Sequence, residues 1–154
     1  MSDLSLRSPA FADHGDIPRR HTCQGEDTSP PLEIAGVPEG AETLALIVED
    51  PDAPNPAAPK MVFDHWLVWN IPAATRAIAE GTVPAGAIQG RNGWGKNRWN
   101  GPCPPIGRHR YFFRLYALGG RLELREGAGK DELRRAMAEL VLAETELVGL
   151  SQKS

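Results

Sequence analysis

The sequence predicts a mainly β, single-domain protein, and three observations carry that prediction. Its 154 residues include 14 prolines and 16 glycines, spread along the chain rather than gathered in one linker, which marks many turns and shaped loops. Residues 43–50, 63–71 and 108–118 are apolar, branched and aromatic in the manner of strands. Helical spacing of apolar residues occurs at 130–142. A chain of this length buries a real core as one unit, and it carries no internal repeat or low-complexity tract that would divide it.

In chain order, Leu4 to Arg7 alternates weakly and predicts a short strand, and the polar stretch 13–31, with Pro18, Pro30 and Pro31, predicts loop. Leu32 to Ile34 is a short alternating piece before a turn at Gly36 to Gly40. In Thr43 to Asp50, one face carries Leu44, Leu46, Val48 and Asp50; the other carries Thr43, Ala45, Ile47 and Glu49. Both rows are largely apolar, which predicts a central strand buried on both sides with Asp50 at its end. Pro51 and Pro54 follow. Proline lacks the ladder N–H and pushes the preceding residue into extended geometry, so regular structure is expected to stop and 51–61 to form a rigid loop.

Phe63 to Ile71 predicts a second strand, with His65, Leu67, Trp69 and Ile71 on one side and Trp66, Val68 and Asn70 on the other; Pro72 closes it. Residues 73–83 read as turn and short strand. The Gly- and Pro-rich stretch 84–107 is long for a loop, and Trp94 and Trp99 predict that it is ordered and packed on the body. Arg108 to Leu118 is the third strand; His109, Tyr111, Phe113, Leu115 and Ala117 share a face. From Lys130 to Leu142, Leu133, Met137, Leu140 and Val141 form a helical stripe, with Asp131 and Glu132 early, where the helix dipole favours acids. Beyond Ala143 the pattern fits either a continued helix or a returning strand.

Composition narrows the function. Seventeen Lys and Arg against 20 Asp and Glu leave no electrostatic footprint for nucleic acid and no polybasic membrane patch. The N-terminus lacks a basic-then-apolar signal pattern and no window approaches a membrane span, so a cytoplasmic protein without membrane insertion is expected. Several arginines fall between Arg91 and Arg114, a cluster that suits a phosphate or carboxylate unless they are scattered surface charges. Cys23 and Cys103 are too few for a disulfide scaffold and read as free thiols, although both sit in loops that can meet. There is no Gly-rich phosphate loop and no Gly-x-Ser-x-Gly elbow. Cys103, between two prolines and away from any helix N-terminus, is a poor nucleophile. No cofactor and no metal are expected.

Three strands carry a polar residue at one end: Asp50 leaving the first, His65 entering the second, His109 entering the third. If the sheet brings these ends to one rim, a carboxylate beside imidazoles favours the charged pair and leaves a neutral or positive pocket for an anion. Tyr111, on the His109 face, adds a phenolic donor, and Pro102, Pro104 and Pro105 a stiff apolar wall. The competing reading is local: Asp50 and Asp52 in Asx turns, the histidines merely half-buried. A metal site built from Asp50, His65 and His109 lacks any spacing of its own.

The segments Asp50-Pro51-Asp52-Ala53-Pro54, Asp64-His65-Trp66-Leu67-Val68-Trp69-Asn70-Ile71-Pro72 and Gly101-Pro102-Cys103-Pro104-Pro105-Ile106-Gly107-Arg108-His109-Arg110-Tyr111 resemble, in order and spacing, the phosphatidylethanolamine-binding protein family. The likeness is to its bacterial and archaeal, Raf-kinase-inhibitor-like branch, and extends to residues 21–32 and 144–149. The resemblance implies a large central antiparallel sheet packed on a smaller one, a few short helices, and a strand rather than a helix at 143–150. It implies an anion pocket for phosphate-like groups, including phospholipid headgroups, with Asp50, His65, His109, Tyr111 and Pro102 as lining residues and Asp52 in support of the loop. Trp99 stands where relatives often carry Tyr, and Leu140 where they often carry His; both bear on ligand identity. The expectation is a non-enzymatic module for a small anion, with three further readings: an inhibitor of a protease or kinase, a homodimer, and a hydrolase using His109 or His65 as base with Asp50 orienting it.

Overall fold

The computed structural model describes residues 3–153. In chain order the elements are β1 (Ser5–Arg7), β2 (Gly15–Asp16), a 3-10 turn (Arg19–His21), β3 (Leu32–Ala35), β4 (Thr43–Ala53), β5 (Met61–Pro72), β6 (Ala77–Ile78), β7 (Ile88–Gln89), β8 (Arg108–Leu118), α1 (Lys130–Met137) and β9 (Val141–Gln152). They form a six-stranded sheet, ordered β2-β9-β8-β4-β5-β7, and a three-stranded sheet, β1-β3-β6. The large sheet is antiparallel apart from the β2–β9 pair.

The central strand β4 shows why this arrangement forms. One of its rows, Leu44, Leu46 and Val48, packs with Phe113 and Leu115 of β8 against Leu6 and Ile34 of the small sheet. The other, Ala45 and Ile47, packs with Leu67, Trp69 and Leu118 against Leu133 and Met137 of α1. A strand apolar on both rows is stable only where both faces are covered, and here one is covered by a sheet and the other by a helix.

Three expectations are corrected. First, β4 does not end at Asp50 but runs on to Ala53. Pro51 is accommodated because the β4–β5 register shifts between Asp50 and Ala53, where the ladder does not call on its missing N–H. Second, the helix stops at Met137, and Val141 already pairs with Leu118. Pairing of β9 along all of β8 outweighs the helical stripe that Leu140 and Val141 continue. This resolves the choice left open beyond Ala143 in favour of a strand.

Third, the alternation predicted for β5 is broken twice. Trp66 stands opposite Val48 and Asp64 opposite Glu49, so His65 is an extra residue in the ladder. Ile71 stands opposite Leu44 and Val68 opposite Leu46, which puts both Trp69 and Asn70 against Ala45. Asn70 takes φ +54° there, and its buried amide donates to the Leu122 carbonyl (2.9 Å) and accepts from the Leu122 N–H (2.8 Å). In consequence Ile71 joins Trp66 and Val68 in the core between the sheets, while Leu67 and Trp69 face α1.

On the helix side, buried Glu49 gathers three cations: Arg114 Nε (3.0 Å), Lys130 Nζ (3.1 Å) and Arg134 Nη2 (3.3 Å). Burial pushes its carboxyl up, but Lys130 and Arg114 outweigh that and hold it below the usual range. Its contribution is therefore complete above the ordinary glutamate range and is lost as pH falls through the lowered value. Glu49→Gln is expected to cost about 2 kcal/mol at neutral pH, less than for a fully buried pair because its partners are part-exposed. Denaturant titrations should show the gap closing toward pH ~3; a gap unchanged between the two pH values contradicts the assignment.

Candidate functional site

At the rim where β4 ends and β5 and β8 begin lies a cavity of about 250 Å³. Its polar lining is Asp50, His65, His109 and Tyr111; the walls are Ala53, Pro54, Met61, Phe63, Trp94, Cys103, Pro104 and Pro105. Strand geometry delivers each polar group. Asp50 ends the row Leu44–Leu46–Val48, and His109 and Tyr111 begin the row that continues as Phe113 and Leu115. Under strict alternation with Leu67 and Trp69, His65 would face α1. As the inserted residue of a bulge it turns instead toward Tyr111, with ring centroids 5.1 Å apart, and toward Phe63 and Trp94 at 5.4 and 5.2 Å.

The hydrogen bonds fix where protons sit. His109 Nε2 lies 2.7 Å from the Ile106 carbonyl, which can only accept, so Nε2 carries a proton. His109 Nδ1 lies 2.6 Å from Asp50 Oδ2, and a contact of that length between two lone-pair atoms requires a proton between them. Asp50 Oδ1 accepts from the Asp52 N–H at 2.7 Å. His65 Nδ1 donates to the Asn100 carbonyl at 2.7 Å, which leaves Nε2 as its bare nitrogen when the ring is neutral. Burial holds the His65 imidazole below its usual range, opposed by the Asn100 carbonyl and Asp50 and reinforced by His109. The buried Tyr111 hydroxyl has no hydrogen-bond partner among the described residues. Burial, with Asp50 and Asp52 nearby, pushes its phenol up, so it stays a donor.

No lysine or arginine lines the cavity among the described residues. Of the arginine cluster read from the sequence, Arg108, Arg110 and Arg114 are committed elsewhere. Arg110 clamps Asp52 through Nε (3.0 Å) and Nη2 (2.9 Å), and its backbone N–H adds a third bond at 2.8 Å. Arg114 serves Glu49 and Glu146, and Arg108 pairs with Asp16. Asp52, its carboxyl held low by Arg110, therefore braces the β4–β8 end and does not line the cavity. Pro102 does not line it either: its carbonyl accepts from the Cys23 N–H (3.1 Å), and Cys103, Pro104 and Pro105 form the wall. The Asn100 and Ile106 carbonyls escaped the sequence reading because main-chain groups leave no residue-type signal. Phe63, two residues before His65, was legible only once the bulge is known. Among the described residues no group of three His, Cys, Asp or Glu is placed to hold a metal ion, and no helix is long and apolar enough to cross a membrane.

Cys23 and Cys103 are disulfide-bonded, which corrects the free-thiol expectation. The bond ties the loop after the 3-10 turn to the loop whose carbonyls anchor both histidines. Gly101 N–H to Asp27 Oδ1 (2.9 Å) and the Cys23–Pro102 bond draw the same two loops together, which spacing alone does not reveal. The bridge spans 80 residues of sequence. In the chain-entropy model a loop of that size stabilises by about 4.5 kcal/mol. The Cys23→Ser, Cys103→Ser double variant should lose stability of that order in denaturant titration; an unchanged midpoint contradicts a structural role for the bond.

Comparison with known proteins agrees with this architecture. Residues 7–152 match the family model described as phosphatidylethanolamine-binding protein. A UPF0098 protein of Methanothermobacter thermautotrophicus is 46% identical over 155 residues, covering 97% of this chain and 99% of its own. The crystal structure of a phosphatidylethanolamine-binding protein homologue from Chlamydia trachomatis superposes with a TM-score of 0.93 at 39% identity, covering all of both chains. E. coli YbcL superposes at 0.89 with 28% identity, covering 99% of this chain and all of its own.

Proposed function

The chain belongs to the phosphatidylethanolamine-binding protein family, and on that footing we propose that its cavity binds a small anionic group, phosphate-like or carboxylate, without turning it over. The observation that carries this reading is the Tyr111 hydroxyl: a buried donor without a partner, in the same cavity as the bare Nε2 of His65. An unsatisfied buried hydroxyl costs about 1–3 kcal/mol, and a ligand oxygen that accepts from it recovers that cost. Met61 and Trp94, 51% and 45% exposed, give the mouth an apolar rim that suits a ligand with a hydrocarbon portion, such as a phospholipid headgroup with the start of its chains.

The geometry favours binding over hydrolysis. Both nitrogens of His109 are engaged, by Asp50 and by a carbonyl, so it is not free to act as a base. His65 is oriented by a carbonyl rather than by a carboxylate, and the cavity offers it no Ser, Thr or free thiol to activate. The Cys23–Cys103 bond is of a kind that persists outside a reducing cytosol, and it weighs against the cytoplasmic location expected from the N-terminal sequence.

Tyr111→Phe tests the reading. In thermal-shift assays near pH ~6 with acetate, inorganic phosphate and phosphoethanolamine, the wild type should be stabilised in proportion to ligand concentration. The variant should be at least as stable without ligand, because an orphan hydroxyl is removed, yet bind about tenfold more weakly. A variant that loses stability but binds unchanged contradicts the proposal.

A further inference from the structure

We propose that the cavity takes up its anion together with one proton, held between His65 Nε2 and a ligand oxygen, and so selects singly charged oxyacids, carboxylates and phosphodiesters, over dianions. This rests on the anion-binding reading above and adds the charge class of the ligand.

The Asp50–His109 pair shares one proton at 2.6 Å and holds another on Nε2 against Ile106, so the pair is neutral overall whichever atom the shared proton favours. His65, with its proton on Nδ1, is neutral too, and no lysine or arginine reaches the lining among the described residues. The empty cavity therefore carries no net charge. Among the described side chains that line it, an oxyanion finds a donor without a partner in the Tyr111 hydroxyl. It also finds the His65 lone pair, which repels an oxygen lone pair unless a proton lies between them.

The groups facing His65 are few. Asp50 faces it from β4, His109 and Tyr111 from β8, and the Asn100 carbonyl from the loop, while Phe63 and Trp94 are uncharged and Cys103 is bridged. A proton drawn from the buffer onto Nε2 converts the repulsion into a charge-assisted hydrogen bond and brings the complex with a monoanion to zero net charge. A dianion leaves one uncompensated negative charge buried beside Asp50, which the low-dielectric wall of Phe63, Pro104 and Pro105 makes unfavourable. Because burial holds the His65 ring below the usual imidazole range, its Nε2 is bare in the free protein at neutral pH and above, and binding there takes up a proton with the ligand.

Isothermal titration of the intact, disulfide-bonded chain with dimethyl phosphate, acetate and sulfate tests this. Measurements run from about pH 6.5 to about pH 8.5, in pairs of buffers with different heats of ionisation. Affinity for the two monoanions should fall about tenfold per pH unit, the buffer comparison should return one proton bound, and sulfate should bind at least about tenfold more weakly throughout. His65→Gln should bind more weakly and lose the pH dependence; the buffer comparison on the wild type needs no variant and stands if Gln perturbs the fold. Monoanion affinity that is flat with pH, no buffer dependence, or sulfate binding as well as dimethyl phosphate overturns the proton-coupled selection while leaving anion binding intact. Absence of binding by every probe, also at about pH 5.5, overturns both.

Discussion

One inserted residue in β5 decides what the cavity is. Side chains alternate along a strand with a period of two, so a single extra residue transfers everything beyond it to the opposite face. Between Asp64 and Trp66 the ladder gains His65, and the ring that would have lain against α1 turns into the space between β4, β8 and the loop 99–107. Asp64 on one side of the insertion keeps the helix-side ion pair with Lys130, at 2.6 Å, and Trp66 on the other keeps the inter-sheet core. A second irregularity at Asn70, fixed by its two bonds to Leu122, does the same for Ile71. The strand thus serves two cores and the cavity, which perfect alternation does not allow.

Around that ring, most polar valences are already used. Asp50 is held through both oxygens, His109 through both nitrogens and His65 through one. Two main-chain carbonyls, from Asn100 and Ile106, set the tautomers, and the Cys23–Cys103 bond pins the loop that carries them. Much of the positive charge that a sequence reader would assign to anion capture holds strands together instead, with Arg110 on Asp52 and Arg114 on Glu49, where Lys130 of the helix joins it. Among the described side chains that line the cavity, the Tyr111 hydroxyl remains without a partner and His65 Nε2 is left bare. Under the proposal, a site so constituted would discriminate by proton count and by shape, because its side-chain lining holds no lysine or arginine to attract an anion from a distance.

Much of this was legible in the sequence. The two buried rows of β4, the span of β8 and the shared face of His109 and Tyr111 follow from period-two alternation alone, and they hold. The convergence of Asp50, His65, His109 and Tyr111 followed from polar residues at three strand ends. What was not legible has three physical sources. Bulges are set by pairing between distant strands, so the face of His65 was misassigned although the residue itself was singled out. Tertiary pairing overrode local pattern at Leu140 and Val141, where β8 recruits β9, and at Pro51, where a shifted register tolerates a missing N–H. Loop-to-loop approach is invisible to spacing, so the Cys23–Cys103 bond was missed, and Pro102 was placed in a wall that its three successors form.

The central claim is that, in the empty cavity, His65 keeps its proton on Nδ1 and presents a bare Nε2. Nitrogen-15 correlation spectra of the histidine rings near pH ~7.5 test it most directly, since protonated and bare ring nitrogens separate cleanly in such spectra. The account predicts that His65 Nε2 resonates as a bare, lone-pair nitrogen in the free protein and as a protonated one once dimethyl phosphate saturates the cavity, with His109 unchanged. A His65 ring protonated at Nε2 before any anion is added, or bare at Nδ1, would contradict it.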